Sequence, residues 1–245
     1  MKVLSIDLDY IMGPSIDLYQ DDICHTDDTT PEIAWTEFNR TNNSVNHDLS
    51  IDQSNLLDCY QIFLRSLKHN PTVVFGYEHD AILYQIGNLE NIDLVNIDHH
   101  DDVMHGGTCG ADKMGLSNEV LCIKYLDHVC EGNWGAWLDI KNKLNSFTWI
   151  SNSNSGNLDR SDFNEDLLGE KYRACLISDY DFGDYDYDHV FICLSPSYTA
   201  KNQWHYFKMF MIAYKEITGN EINIISEGRY EYHQMYSQVT NEILY

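Results

Sequence analysis

Ile92-Asp93-Leu94-Val95-Asn96-Ile97-Asp98-His99-His100-Asp101-Asp102 is the stretch on which the reading of this chain turns. Residues 92–97 are a short apolar run of the kind that forms a strand in a buried sheet. An abrupt cluster of acids and imidazoles follows, where that strand must end. In extended chain, residues i, i+2 and i+4 share a face. Asp98, His100 and Asp102 are therefore predicted on one side, supplying two carboxylates and an imidazole. That mixed oxygen and nitrogen set suits a borderline-hard divalent ion such as Mn²⁺.

Two other stretches repeat the pattern of apolar strand, then chemistry. Val3, Leu4, Ile6 and Leu8 mark residues 2–8 as a buried strand, and Asp7 and Asp9 sit at its end. Residues 72–75 form a third short strand, followed by Gly76-Tyr77-Glu78-His79-Asp80. Carboxylates crowded at the end of a buried strand repel each other, and a bound cation relieves the repulsion. The inventory of Asp7, Asp9, His79, Asp98, His100 and Asp102 fits a two-metal site, whose ions stand ~3.5–4 Å apart.

Further strands are predicted over residues 146–150, 174–177, 190–194 and 222–225. Apolar periodicity predicts helices over 53–69, stopped by Pro71, from 79 to 86, over 117–129 and over 199–218, the last ended by Gly219. Short strands alternating with helices argue for an α/β fold, a mainly parallel sheet flanked by helices. Ligands then gather at the carboxyl ends of the strands. With 245 residues and no internal repeat, the chain reads as one domain over 1–245, with residues 13–50 as a polar excursion and 151–170 as a loop.

Composition narrows the function classes. The formal charge is −24, from 39 acids against 15 bases, a field that repels nucleic acid and anionic membrane and attracts cations. No apolar run approaches the ~18 residues of a spanning helix. The opening Met1-Lys2-Val3-Leu4-Ser5-Ile6-Asp7 lacks the apolar stretch of a secretion signal, so a cytoplasmic location is expected. Seven cysteines without paired spacing argue against a disulfide framework, and no CxxC suggests a zinc ribbon.

Asp98-His99-His100-Asp101-Asp102 resembles the D-x-H-x-D signature of arginases and agmatinases, members of the arginase–deacetylase (ureohydrolase) superfamily. Ser5-Ile6-Asp7-Leu8-Asp9 resembles their S-x-D-x-D signature, with Pro14 near the place of that motif's proline. Gly76–His79 resembles the G-x-x-H segment that supplies the first histidine ligand. The resemblance implies an arginase-like catalytic domain holding two Mn²⁺ ions on Asp7, Asp9, His79, Asp98, His100 and Asp102, and hydrolytic attack on a guanidinium. Within the superfamily the chain looks most like the peptide arginases, which convert arginine to ornithine in ribosomally made peptides. Its implied partner is thus an arginine-containing precursor peptide. Looser likenesses lie in Glu131-Gly132-Asn133-Trp134 and Cys193-Leu194-Ser195-Pro196-Ser197-Tyr198. The S-x-D-x-D match precedes the D-x-H-x-D match, the reverse of ordinary arginases, which implies a permuted strand order. Met12-Gly13-Pro14 stands where the arginase motif carries a further aspartate.

The same residues also resemble the DHH phosphoesterases, two-manganese enzymes for which Asp80 and Asp179 or Asp181 would be further ligands. Against that alternative, the chain lacks the glycine-rich basic run that would hold a phosphate. His105, just past the metal run, is the candidate proton shuttle. Glu131 and Asn133 are the candidates for substrate contact, Glu131 by charged hydrogen bonds to a guanidinium. Trp134 and Trp137 read as core. Asp179, Asp181, Asp184, Asp186 and Asp188 read as a solvated loop, and Ser195 lacks the G-x-S-x-G setting of a serine nucleophile.

Overall fold

The structure is a computed structural model that describes residues 1–12, 51–103, 132–153, 155, 168–196, 198–199 and 203–225. Among the described residues seven strands form one sheet: β1 (Lys2–Asp7), β2 (Thr72–Gly76), β3 (Ile92–Ile97), β4 (Leu144–Ser151), β5 (Tyr172–Leu176), β6 (His189–Cys193) and β7 (Ile224–Ile225). Every pairing between them is parallel, in the order β5-β4-β3-β1-β6-β2-β7. This is the α/β fold expected. The first strand lies in the middle, and β6 inserts between β1 and β2, in keeping with a permuted order.

The sheet is parallel because both of its faces are covered. Alternate residues of each strand point to opposite sides. Leu4, Ile6, Val73, Phe75, Val190 and Ile192 join one core, under α1 (Gln53–Ser66) and α4 (His205–Thr218). Val3, Val74, Leu94, Phe147 and Phe191 join the other, under α2 (Ile82–Ile86) and α3 (Trp134–Ile140). In the first core Phe75 meets Phe207 and Tyr214 at ring separations of 5.7 and 5.9 Å.

Local signals set the element ends. Asp52 caps α1 by accepting from the Ser54 and Asn55 backbone N–H groups at 2.8 and 3.1 Å. The helix tightens into a 3-10 turn over Leu67–His69 and stops at Asn70, φ 53°, just before Pro71. At Gly219, φ 70°, the left-handed backbone that ends α4 needs glycine's freedom.

Two helix expectations change, and one helix is new. The helix expected from 79 begins as a 3-10 turn, His79–Ala81, before α2. The helix expected from 199 starts at His205, because the Tyr198 and Thr199 N–H groups both fold back onto the Ser195 carbonyl, closing a turn first. α3 was not foreseen; its seven residues are too few to show a clear apolar period. The helix expected over 117–129, the excursion over 13–50 and most of the loop over 151–170 lie outside the described residues. No helix among the described residues is long and apolar enough to cross a membrane. Among the described residues, Cys59, Cys175 and Cys193 form no disulfide.

Candidate metal centre

β1 is the point where the sheet order turns, with β3 on one side and β6 on the other. Its carboxyl end is therefore where a parallel α/β sheet opens a crevice. Asp7 ends β1, and its Oδ1 accepts the Asp9 N–H at 3.2 Å. Asp98 follows β3 and does the same for His100, whose N–H reaches Asp98 Oδ1 at 2.9 Å. Each aspartate captures the N–H two residues on, as Asx turns do, and ends the extended chain there. This corrects the expected reason for convergence. Asp9, His100 and Asp102 do not continue the alternation of their strands; turns bring them in. Asp102 itself has φ 56°, a left-handed backbone rare outside glycine.

The turns bring the six expected residues together. His79 Nδ1 lies 3.1 Å from Asp7 Oδ2, 2.9 Å from Asp98 Oδ2 and 2.7 Å from Asp102 Oδ2. His100 Nδ1 lies 3.0 Å from Asp9 Oδ2. Asp7, His79 and Asp98 form one group able to hold a metal ion, and Asp9, Asp98 and His100 form another. Asp98 belongs to both. All but His100 are buried.

The donor chemistry fits a cation. Three carboxylate oxygens surround His79 Nδ1, yet none lies where an Nδ1–H would point, and this buried nitrogen has no hydrogen-bond partner. Its other nitrogen, Nε2, is 2.6 Å from Ser5 Oγ. With the ring proton on Nε2 toward Ser5, Nδ1 presents a lone pair beside the acids, the arrangement of a metal-ligating histidine held by an outer partner. Donor atoms on neighbouring corners around a divalent ion bound at ~2.1 Å are ~3 Å apart, which matches the separations around Nδ1. The residues thus fit a divalent metal ion.

A shell of donors supports the acids. Asn96 Nδ2 donates to Asp98 Oδ2 at 3.1 Å, and Trp149 Nε1 to the Asp98 carbonyl at 3.0 Å. His99 N–H donates to Asp9 Oδ1 at 3.2 Å. Ser195, which follows β6 at φ 45°, donates its hydroxyl to Asp7 Oδ2. The Trp134 indole donates to Asp102 Oδ2.

Ser5, Asn96, Trp134, Trp149 and Ser195 were not foreseen as site residues. Two of them carried a signal: Ser5 and Asn96 are polar interruptions of apolar strands, each two residues before an acid and so facing the same way. Ser195 had none in its own surroundings. Of the three ligand-bearing strands, β1 and β3 are direct neighbours, but β6 separates β1 from β2.

Asn133 immediately precedes α3, and its carbonyl accepts from Trp137 N–H at 3.1 Å. His105 and Glu131 lie outside the described residues. Asp80 sits in the turn beside His79. Asp179 and Asp181, exposed after the edge strand β5, accept from Ser178 Oγ and Gly183 N–H and do not join the cluster. No family model, curated protein or solved structure matches the chain.

Burial and mutual repulsion act on the acids. Burial, then the charges of Asp7 and Asp98, push Asp9 up to about 7. Burial, then Asp102, push Asp98 up to about 6. Burial pulls His79 down, but with no cation beside it Asp102, Asp7 and Asp98 outweigh that and raise it well above its ordinary range; a bound ion would take the place of the Nδ1 proton and leave the lone pair as its ligand. An ordinary aspartic acid titrates near 3.9. Between about pH 4 and 7 the folded chain therefore keeps protons on Asp9 and Asp98 that the unfolded chain has lost. Stability must fall as pH rises through that window. Chelator-treated protein is expected to melt about 5 °C or more lower at pH 7.5 than at pH 5, from stability shifts of a few kcal/mol. Saturating Mn²⁺ should cancel most of the difference. Thermal unfolding measures both, and a midpoint that rises with pH in chelator would contradict the assignment.

Proposed function

We propose that this chain is a dinuclear manganese hydrolase that converts peptidyl arginine to peptidyl ornithine and urea in a ribosomally synthesised peptide, and that it belongs with the peptide arginases. The observation that carries the reading is the sign of the charge around the acid cluster. The segments leaving the carboxyl ends of the first six strands, residues 8–12, 77–81, 98–103, 152–155, 177–188 and 194–199, contain no Lys or Arg. Bases instead collect at the amino ends: Lys2 opens β1, Lys143 precedes β4, and Lys171 and Arg173 stand at the start of β5. These segments offer a phosphate ester no Lys or Arg partner beside the acids, whereas their acids attract a guanidinium.

Asp7, His79, Asp98 and Asp102 would hold one ion, and Asp9, His100 and the shared Asp98 the other. When bound, the Mn²⁺ pair supplies Lewis acidity that makes a water nucleophilic toward the guanidinium carbon. Ser5 keeps the His79 ring proton on Nε2. Asn96 and Ser195 hold the carboxylates of Asp98 and Asp7 by donating to them. Acids left at the rim accept the planar N–H donors of the guanidinium.

The direct test is mass spectrometry of arginine-containing peptides incubated with protein and Mn²⁺. Each reacting arginine should lose about 42 Da, the difference between its guanidino group and an amine, with urea released. Lysine peptides should stay unchanged, having no guanidinium carbon. Unchanged arginine peptides beside rapid cleavage of a phosphodiester would overturn the proposal in favour of a phosphoesterase.

A further inference from the structure

We propose that Trp134 is a positioning residue of the metal centre, its indole N–H holding the Asp102 carboxylate turned toward His79. The inference rests on the metal-site reading of this cluster, not on the choice of substrate.

Trp134 is 0 % exposed, and its Nε1 donates to Asp102 Oδ2 at 2.7 Å. That oxygen is also the one 2.7 Å from His79 Nδ1. An indole has a single donor and no acceptor, so this bond uses its whole polar capacity. The ring packs 4.8 Å from the His79 ring and 6.2 Å from Phe147. One side chain thus touches two ligands, one by its N–H and one through a tilted ring contact.

The backbone repeats the grip. Gly135 N–H donates to the Asp102 carbonyl at 3.0 Å, so the first turn of α3 holds residue 102 by main chain and side chain together. The approach is close: a Cβ on Gly135 would lie 2.9 Å from Val103 Cγ1 and 3.1 Å from the Asp102 carbonyl oxygen. A larger residue there would have to push Val103, Phe147 or the Asp102 carbonyl aside. The left-handed backbone of Asp102, φ 56°, is thereby held in place. Simple core filling would be met by phenylalanine; the N–H is what the acid uses. Outer partners of this kind tune metal affinity by fixing a ligand's direction.

The test is Mn²⁺ binding to the intact chain by calorimetry, with the melting point of chelator-treated protein as the control for folding. Trp134→Phe should weaken Mn²⁺ binding about 10- to 100-fold, while Trp137→Phe, in the same helix, leaves it unchanged. In a double-mutant cycle, Trp134→Phe should add nothing to the loss caused by Asp102→Ala. A core role alone would lower the melting point without this coupling. Wild-type affinity in Trp134→Phe, losses that add, or a wild-type chain that binds no Mn²⁺ would each overturn the proposal. Should Trp134→Phe not fold, the ¹⁵N-indole signals of the remaining proteins decide. One signal should move both on Asp102→Asn and on adding Zn²⁺, and indole signals that stay put overturn it. Mn²⁺ binding that depends on Trp134, with no urea released from any arginine peptide, would remove the arginase reading alone.

Discussion

Asparagine in place of Asp98 should remove both metal ions at once. Asp98 is the residue common to the two ligand groups, with Oδ2 beside His79 and Oδ1 on the side of His100. An amide of the same shape keeps one oxygen for the His100 N–H and sets its NH2 toward Asn96, which can meet it by turning its own amide; it brings no negative charge to a cation. Bound Mn²⁺ should fall from about two per chain to below one, whereas Asp7→Asn, which touches one group only, should keep one ion. Activity on an arginine peptide should drop about 1000-fold or more, the equivalent of the several kcal/mol that a metal supplies. Folding should not suffer. The substitution removes one of several buried charges that repel each other, so the chelator-treated variant should melt at or above the wild-type temperature. Metal analysis, urea release and calorimetry read the three effects. An Asp98→Asn protein with two ions and full activity would refute the shared-ligand assignment.

Phe75→Ala should have the largest effect on stability. The ring is fully buried and packs against Phe63, Phe207 and Tyr214 at centroid separations of 6.4, 5.7 and 5.9 Å. Truncation leaves a cavity among side chains from α1, α4 and β2 that cannot all close in, at a cost of about 3–5 kcal/mol. For a chain of this size that is a fall of about 10 °C in melting temperature. Phe75 faces the core opposite the acid cluster, so the folded variant should bind as much Mn²⁺ at low temperature as the wild type. Metal loss from a still-folded Phe75→Ala protein would show the two faces to be coupled.

The contrast between these two residues also explains what could be read from sequence. The inner strands, buried on both faces, are near-continuous apolar runs and were visible, including the five residues of β2, and the half-buried edge strands β5 and β7 kept enough apolar residues to be seen as well. The ligands were visible because acids and histidines at the ends of such runs have no place in a core. How they converge was not visible. Alternation along a strand suggested one face, but the aspartates at 7 and 98 end their strands by bonding N–H groups two residues on. Convergence then depends on turns at Asp9, His100 and the left-handed Asp102. Ser195 and Trp134 were hidden for a different reason. Each reaches the site only through the order of strands and helices in space, and neither neighbours a ligand in sequence.

β1 lies at the centre of the sheet, yet it precedes both of its partner strands in the chain. Its partners are Asp93–Ile97 on one side and His189–Cys193 on the other. During synthesis it leaves the ribosome with neither partner made, and its second ladder has to wait for residue 193. Val3, Leu4 and Ile6 must until then be kept from pairing with strands of other chains. Parallel pairing offers no hairpin that could form early, and closing such long loops is slow. The bond from Ser195 to Asp7 spans most of the described chain, so the centre is among the last features to assemble, and a nascent chain has no working site until nearly all of the sheet is in place.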